Sequence, residues 1–119
     1  MSAIKNREII YQGHSYEVFW ATLYAEHICT NFPHAQHQIR FGEISDLLQR
    51  TLLVNQIRRG TQTNYFVFLG IHSEAVYETY LTLQKGTLSR PGRAIVHTSY
   101  RSNKAEYVKA VTNFLEGKS

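Results

Sequence analysis

Between Leu53 and Thr98 the apolar residues come in short runs with a strand-like period, and this constrains the fold more than any other feature of the chain. The runs predict strands over Leu53 to Arg58, Asn64 to Gly70, Ala75 to Leu83 and Arg93 to Thr98. Arg59-Gly60-Thr61-Gln62-Thr63 and Ile71-His72-Ser73-Glu74 are short enough to close hairpins between successive runs. Gln84 to Gly92 holds Gly86, Pro91 and Gly92 and reads as a loop that returns the chain to the sheet. The expected core is an antiparallel four-stranded meander.

Helical spacing flanks it. Tyr16, Phe19, Trp20, Leu23, Tyr24, His27 and Ile28 follow i, i+3, i+4 positions, which predicts a helix over about Ser15 to Thr30 with Ser15 as its N-cap. Pro33 to Phe41 can continue helically before Gly42, and Ile44, Leu47, Leu48, Thr51 and Leu52 form the stripe of a short second helix. Arg7 to Gln12 is β-prone and fits either an edge strand or an ordered lead-in. At the other end Asn103 and Glu106 have capping-box spacing, and Tyr107, Val108, Val111, Phe114 and Leu115 form an apolar stripe that should be buried. The predicted fold class is α+β: N-terminal helices packed on an antiparallel four-stranded meander, with a C-terminal helix, in a single domain over residues 1–119.

The formal charge of +4 favours a polyanionic partner, because each Lys or Arg placed on a phosphate releases condensed counterions. No apolar run follows the charges of Met1 to Glu8, which argues against a secretion signal. The longest apolar stretch, Tyr65 to Leu69, is far below the ~20 residues that span a bilayer. A soluble, cytoplasmic chain is expected, with no membrane partner. Cys29, the single cysteine, cannot form an internal bridge and sits in a periodic apolar segment where a buried thiol is the usual outcome.

Six histidines are the most unusual feature of the composition. An imidazole titrates near neutrality, so one can take a proton from a ribose 2′-hydroxyl while another group protonates the departing 5′-oxygen, without a metal. His34 and His37 are three apart and can share a helical face, but no paired cysteines or His-Glu-x-x-His arrangement supplies the remaining ligands, so no metal and no cofactor is expected. Arg93 to Lys104 is the densest polar cluster, with His97, Thr98, Ser99, Tyr100, Arg101 and Lys104. Strand alternation puts Ile95 and His97 on one side and Val96 and Thr98 on the other, although the pattern slips at its end. Arg101, Lys104 and the N-terminus of the last helix can converge on a phosphate, while the same residues also suit a solvated strand end and a helix cap. Arg58, Arg59, Lys85, Arg90, Arg93, Arg101 and Lys104 all fall in the sheet half, interleaved with Tyr65, Tyr77, Tyr80 and Tyr100. Cations on phosphates with rings stacked on bases would suit single-stranded RNA, and strand tyrosines equally suit core packing.

His34-Ala35, Arg40, the helical segment Glu43 to Thr51, the meander and the run His97-Thr98-Ser99-Tyr100-Arg101 together resemble the small metal-independent ribonucleases that include barnase, the EndoU nucleases, colicin-type tRNases and RelE-like toxins, and more distantly the BrnT-type toxins. The resemblance implies cleavage of tRNA or mRNA by 2′-hydroxyl attack on the adjacent phosphate, by a toxin held in check by a protein inhibitor or antitoxin. It also implies a catalytic set in which His34 and Arg40 match the family's helical His-Ala and arginine positions and His97, Thr98 and Tyr100 the polar positions of its last strand. Gln36 and His37 depart from the usual residues after His-Ala, and a full helix follows the last strand. The alternative is a non-catalytic RNA- or protein-binding module of the same architecture, such as an antitoxin, inhibitor or adaptor. His34, His97 and Arg101 facing one cleft would favour the enzyme; different sides would favour the module.

Overall fold

The computed structural model describes residues 8–20 and 43–117. Its elements are β1 (Glu8–Tyr11), β2 (His14–Trp20), α1 (Ile44–Gln49), β3 (Leu53–Arg59), β4 (Gln62–His72), β5 (Ala75–Gln84), β6 (Gly92–Arg101) and α2 (Ala105–Leu115). The strands form one six-stranded sheet in the order β1-β2-β6-β5-β4-β3. Pairing is antiparallel throughout except between β2 and β6, which run parallel.

This corrects the expected fold class. The runs from Leu53 onward do pair as a meander, β3 to β6, but that meander is only part of a larger mixed sheet, and the described helices are two short ones. Ser15 to Trp20, expected to open a helix, belongs to β2. Ser15, Tyr16, Glu17 and Val18 alternate polar and apolar, and Tyr16 and Val18 are both buried while Ser15 is exposed. In an aromatic-dense segment Tyr16, Phe19 and Trp20 also satisfy helical spacing, so two periods fit and the helical one misled. Ser15 caps nothing; its hydroxyl donates to Glu8 Oε1 at 3.2 Å. What selects the strand is the turn before it. Gln12 and Gly13, the central residues of a two-residue loop between Tyr11 and His14, have φ of 53° and 80°, the double left-handed conformation of a hairpin turn. The remainder of the expected first helix, the stretch from Pro33 to Phe41, and Cys29, His27, His34, His37 and Arg40 lie outside the described residues.

The sheet curls. β1 and β4 are separated by β2, β6 and β5, which in a flat sheet would hold them roughly 19 Å apart at about 4.8 Å per strand. Yet the Tyr11 ring lies 5.6 Å from Phe66 and 5.7 Å from Phe68, so the sheet bends into a half-barrel. The concave core holds Ile9, Tyr16, Val18, Phe68, Tyr77, Leu81, Leu83, Ala94 and Val96, and α1 adds Ile44, Leu47 and Leu48. Gly70 permits that approach, since a Cβ there would meet Leu47 Cδ1 at 3.1 Å. The Gln49 side-chain amide donates to the Glu8 carbonyl and ties α1 to β1.

The convex face has its own core of Tyr65, Val67, Leu69, Tyr80 and Val111, the last supplied by α2. Burial of both faces explains why β5 reads as a nearly continuous buried run from Tyr77 to Leu83. The terminal helix is there as expected, but its stripe is not buried throughout: Val111 is 1% exposed, whereas Phe114 is 49% and Leu115 56% exposed. Its N-cap is Lys104, not Asn103, and carries no side-chain cap. The nearby hydroxyl of Ser102 instead accepts from the Lys104 N–H at 3.2 Å.

Candidate functional site

A β-bulge organises the polar residues of β6. Thr82 pairs with Ile95 and Leu81 with Val96, but Tyr80 pairs with Thr98, leaving His97 as the extra residue. Strict alternation would send Thr98 to the side opposite His97. The bulge instead brings His97 and Thr98 to the same convex face, the physical reason for the slip in the sequence pattern. His97 Nε2 lies 2.7 Å from Thr82 Oγ1, and its ring is 5.6 Å from that of Tyr65.

Residues paired directly across a ladder share a face, so Tyr100, opposite Glu78, is also convex. Arg101 pairs with Tyr77 of the concave core and therefore leaves the sheet on the other side from His97. Both are described residues of the expected site, and the fold separates them. Lys104 does reach the convex face, but it is already engaged. Its Nζ donates to the Tyr80 hydroxyl at 3.1 Å, lies 3.9 Å from Glu78 Oε1 and sits 5.8 Å and 5.1 Å from the ring centroids of Tyr80 and Tyr107. Arg101, Lys104 and the start of α2 thus do not converge on one phosphate.

Glu78 is the residue that sequence reasoning missed. It is fully buried; the Tyr80 hydroxyl donates to its Oε1 at 2.5 Å, and its Oε2 has no hydrogen-bond partner among the described residues. An acid inside the apolar run Tyr77 to Leu83 is the signal that marks it, since a buried carboxylate needs a cation or donors. Burial, then the hydrogen bond to Glu78, push the Tyr80 phenol far above its ordinary pKa, so it remains a donor. Burial also raises Tyr100, against the opposing hydrogen bond with Tyr80, whose ring it stacks on at 5.9 Å. Tyr65, Tyr77 and Tyr80 are buried, so as placed they pack the two cores and do not offer faces to bases.

A second group of expected residues gathers at one end of the sheet. The β1–β2 turn, the β3–β4 turn and the β5–β6 loop all lie there, because β2 and β6 start together and β5 ends beside the start of β4. Arg58 is exposed near the end of β3, and Arg59 is the last residue of that strand. Lys85 and Arg90 are exposed in the β5–β6 loop, and Arg93 is exposed at the start of β6, 5.5 Å over the Phe19 ring. His14, which sequence reasoning did not single out because it falls ahead of the expected helix, joins Ser15, Lys85 and Arg90 around an open groove of about 560 Å³ between the loop and the β1–β2 turn.

The acids distribute differently. Glu74 sits in the opposite turn, between β4 and β5; Glu43 adjoins α1, 3.5 Å from His72 at that same end; and Asp46 lies on α1. Glu78 and Glu106 belong to that half too, while Glu17 and Glu8 stand in register beside Arg93. Glu8 and Glu17 thus stand on the Arg93 side, and Arg50, Arg101, Lys104 and Lys109 share the half that holds the other acids, so what distinguishes the loop end is that Arg58, Lys85 and Arg90 stand there with no acid in the adjoining turns. Comparison with protein-family models, with curated proteins and with solved structures finds no match in any of the three. No helix among the described residues is long and apolar enough to cross a membrane.

Proposed function

We propose that the protein is an RNA-binding module of the cytoplasm that takes RNA across the loop end of its sheet and does not cleave it. The observation that carries this reading is the exposed cation cluster of Arg58, Lys85, Arg90 and Arg93 at that end, where Glu17 beside Arg93 is the nearest strand acid and the carboxylates of Glu43, Asp46, Glu74 and Glu78 lie in the other half. Strand spacing puts the backbone of Arg58 roughly 10 Å from that of β5, where Lys85 follows, so the cations form a line along the sheet end. A line of positive charge fits the phosphates of an extended strand, and each neutralised phosphate releases counterions. The position of Arg101 on the face opposite His97 favours binding over cleavage.

The test is a charge reversal. Lys85→Glu should weaken binding to an RNA stem-loop strongly, while Lys109→Glu on α2, the same change in charge, should change it little. Equal losses from both would show that net charge and not the loop end determines binding.

A second reading keeps the metal-independent ribonuclease, a toxin restrained by a protein inhibitor. The bulge favours it by placing His97, Thr98 and Tyr100 on one face, where His97 would be the general base or acid. Incubating the chain with tRNA and rRNA in EDTA separates the readings: intact RNA supports the module, and discrete fragments support the enzyme.

A further inference from the structure

Resting on the RNA-binding reading, we propose that the β5–β6 turn is a preformed wedge whose apex, Leu88, inserts against unstacked bases of an RNA loop while Lys85 and Arg90 hold the flanking phosphates. Leu88 is the most exposed large apolar residue among those described, at 110% of its reference area. An apolar side chain standing fully in water has no role in either core.

The turn beneath it is stiff. Thr87 and Arg90 form a bridge, with the Thr87 N–H donating to the Arg90 carbonyl at 2.9 Å and the Arg90 N–H to the Thr87 carbonyl at 3.4 Å. The Ser89 N–H donates to Thr87 Oγ1 at 3.3 Å. The arms below touch backbone to backbone: a Cβ on Gly86 would meet the Arg90 carbonyl oxygen at 2.3 Å, and one on Gly92 would meet the Gln84 carbonyl oxygen and the Tyr16 ring, each at 2.6 Å. Pro91 fixes one further backbone angle. A contact on such a tip loses little conformational entropy when it binds.

Apolar wedges flanked by cations are a recurring way to hold nucleic acid, with the wedge on base faces and the cations on the backbone. The buried tyrosines leave base contacts to some other group; Phe19, 39% exposed, lies beneath Arg93, and Leu88 is the apolar side chain that stands clear of the fold among the basic residues of the loop end. A membrane surface would also attract Lys85 and Arg90. A lone leucine buries too little to anchor there, and Arg58 extends the charge sideways along the sheet end instead of around the tip.

Leu88→Ser and Leu88→Phe test the wedge, and neither should affect folding because the side chain touches no core. Anisotropy is measured on a fluorescent RNA stem-loop, a fully paired duplex of the same composition, and phosphatidylserine vesicles. The proposal expects preference for the stem-loop, about tenfold weaker binding by Leu88→Ser, unchanged salt dependence, and recovery by Leu88→Phe. Equal stem-loop affinity for Leu88→Ser and the parent overturns the wedge and leaves the RNA reading standing. Failure of the parent to bind either RNA at low salt removes both. Leucine-dependent binding to vesicles alone would identify a membrane partner and overturn the proposal.

Discussion

Lys104→Met removes the cation that stands over a fully buried carboxylate and keeps the length of the side chain. At 3.9 Å the pair would be worth about 4 kcal/mol at an effective dielectric constant of 20 and about 1 kcal/mol in water. The Lys104 side chain is 45% exposed, so solvent screening pulls the value towards the lower figure. The charged hydrogen bond to Tyr80 is lost at the same time, while Glu78 keeps its bond from the Tyr80 hydroxyl. A net loss of roughly 2 kcal/mol follows, because these contributions overlap and do not add. Urea midpoints followed by circular dichroism measure it. Glu78→Gln in the Lys104→Met background should recover part of the loss, since a neutral amide needs no counter-charge, giving a coupling energy of about 1–2 kcal/mol in the double-mutant cycle. A Lys104→Met midpoint equal to the parent, or a coupling near zero, would refute the claim that Lys104 balances Glu78.

Three further outcomes follow from the geometry. Val111→Ala should cost about 2–3 kcal/mol because it empties a buried site in the convex core, whereas Phe114→Ala, half exposed, should cost under about 1 kcal/mol; thermal or urea unfolding distinguishes them. Stability should fall above pH ~10. Tyr77, Tyr80 and Tyr100 have pKa values raised in the fold, so their contribution is complete below the unfolded-state value and is lost as the unfolded phenols ionise, by up to ~1.4 kcal/mol per pH unit for each; a flat stability profile between pH 9 and about 11.5 would contradict this. His97→Ala should leave RNA affinity within about twofold under the binding reading, and a fall in RNA cleavage of roughly 10²–10⁴-fold in a folded variant would instead establish the ribonuclease.

The strands from Leu53 onward are legible in the sequence because runs of β-branched and aromatic residues separated by Gly60 and by Ser73-Glu74 admit only one local reading. β2 is not, since Tyr16 and Val18 fit the strand period while Tyr16, Phe19 and Trp20 fit the helical one, and the deciding feature, the Gln12-Gly13 turn, lies before the segment and not in it. The cation cluster was visible as a list of residues, but its division was not: Arg101 and Lys104 are three apart in sequence, yet a one-residue bulge at His97 and the start of α2 send them to different faces. The Glu78 network was hidden for a related reason, because only the folded chain brings β5 against the residue that opens α2.

Affinity for a single-stranded RNA as a function of salt tests the central claim most directly. With Arg58, Lys85, Arg90 and Arg93 on phosphates, and each phosphate contributing ~0.7 to the slope for single strands, log K should fall against log salt with a slope of about −2 to −3. Lys85→Gln should lower that slope by about one contact. Absence of binding at low salt, or binding that salt leaves unchanged, would contradict RNA recognition by the loop end of the sheet.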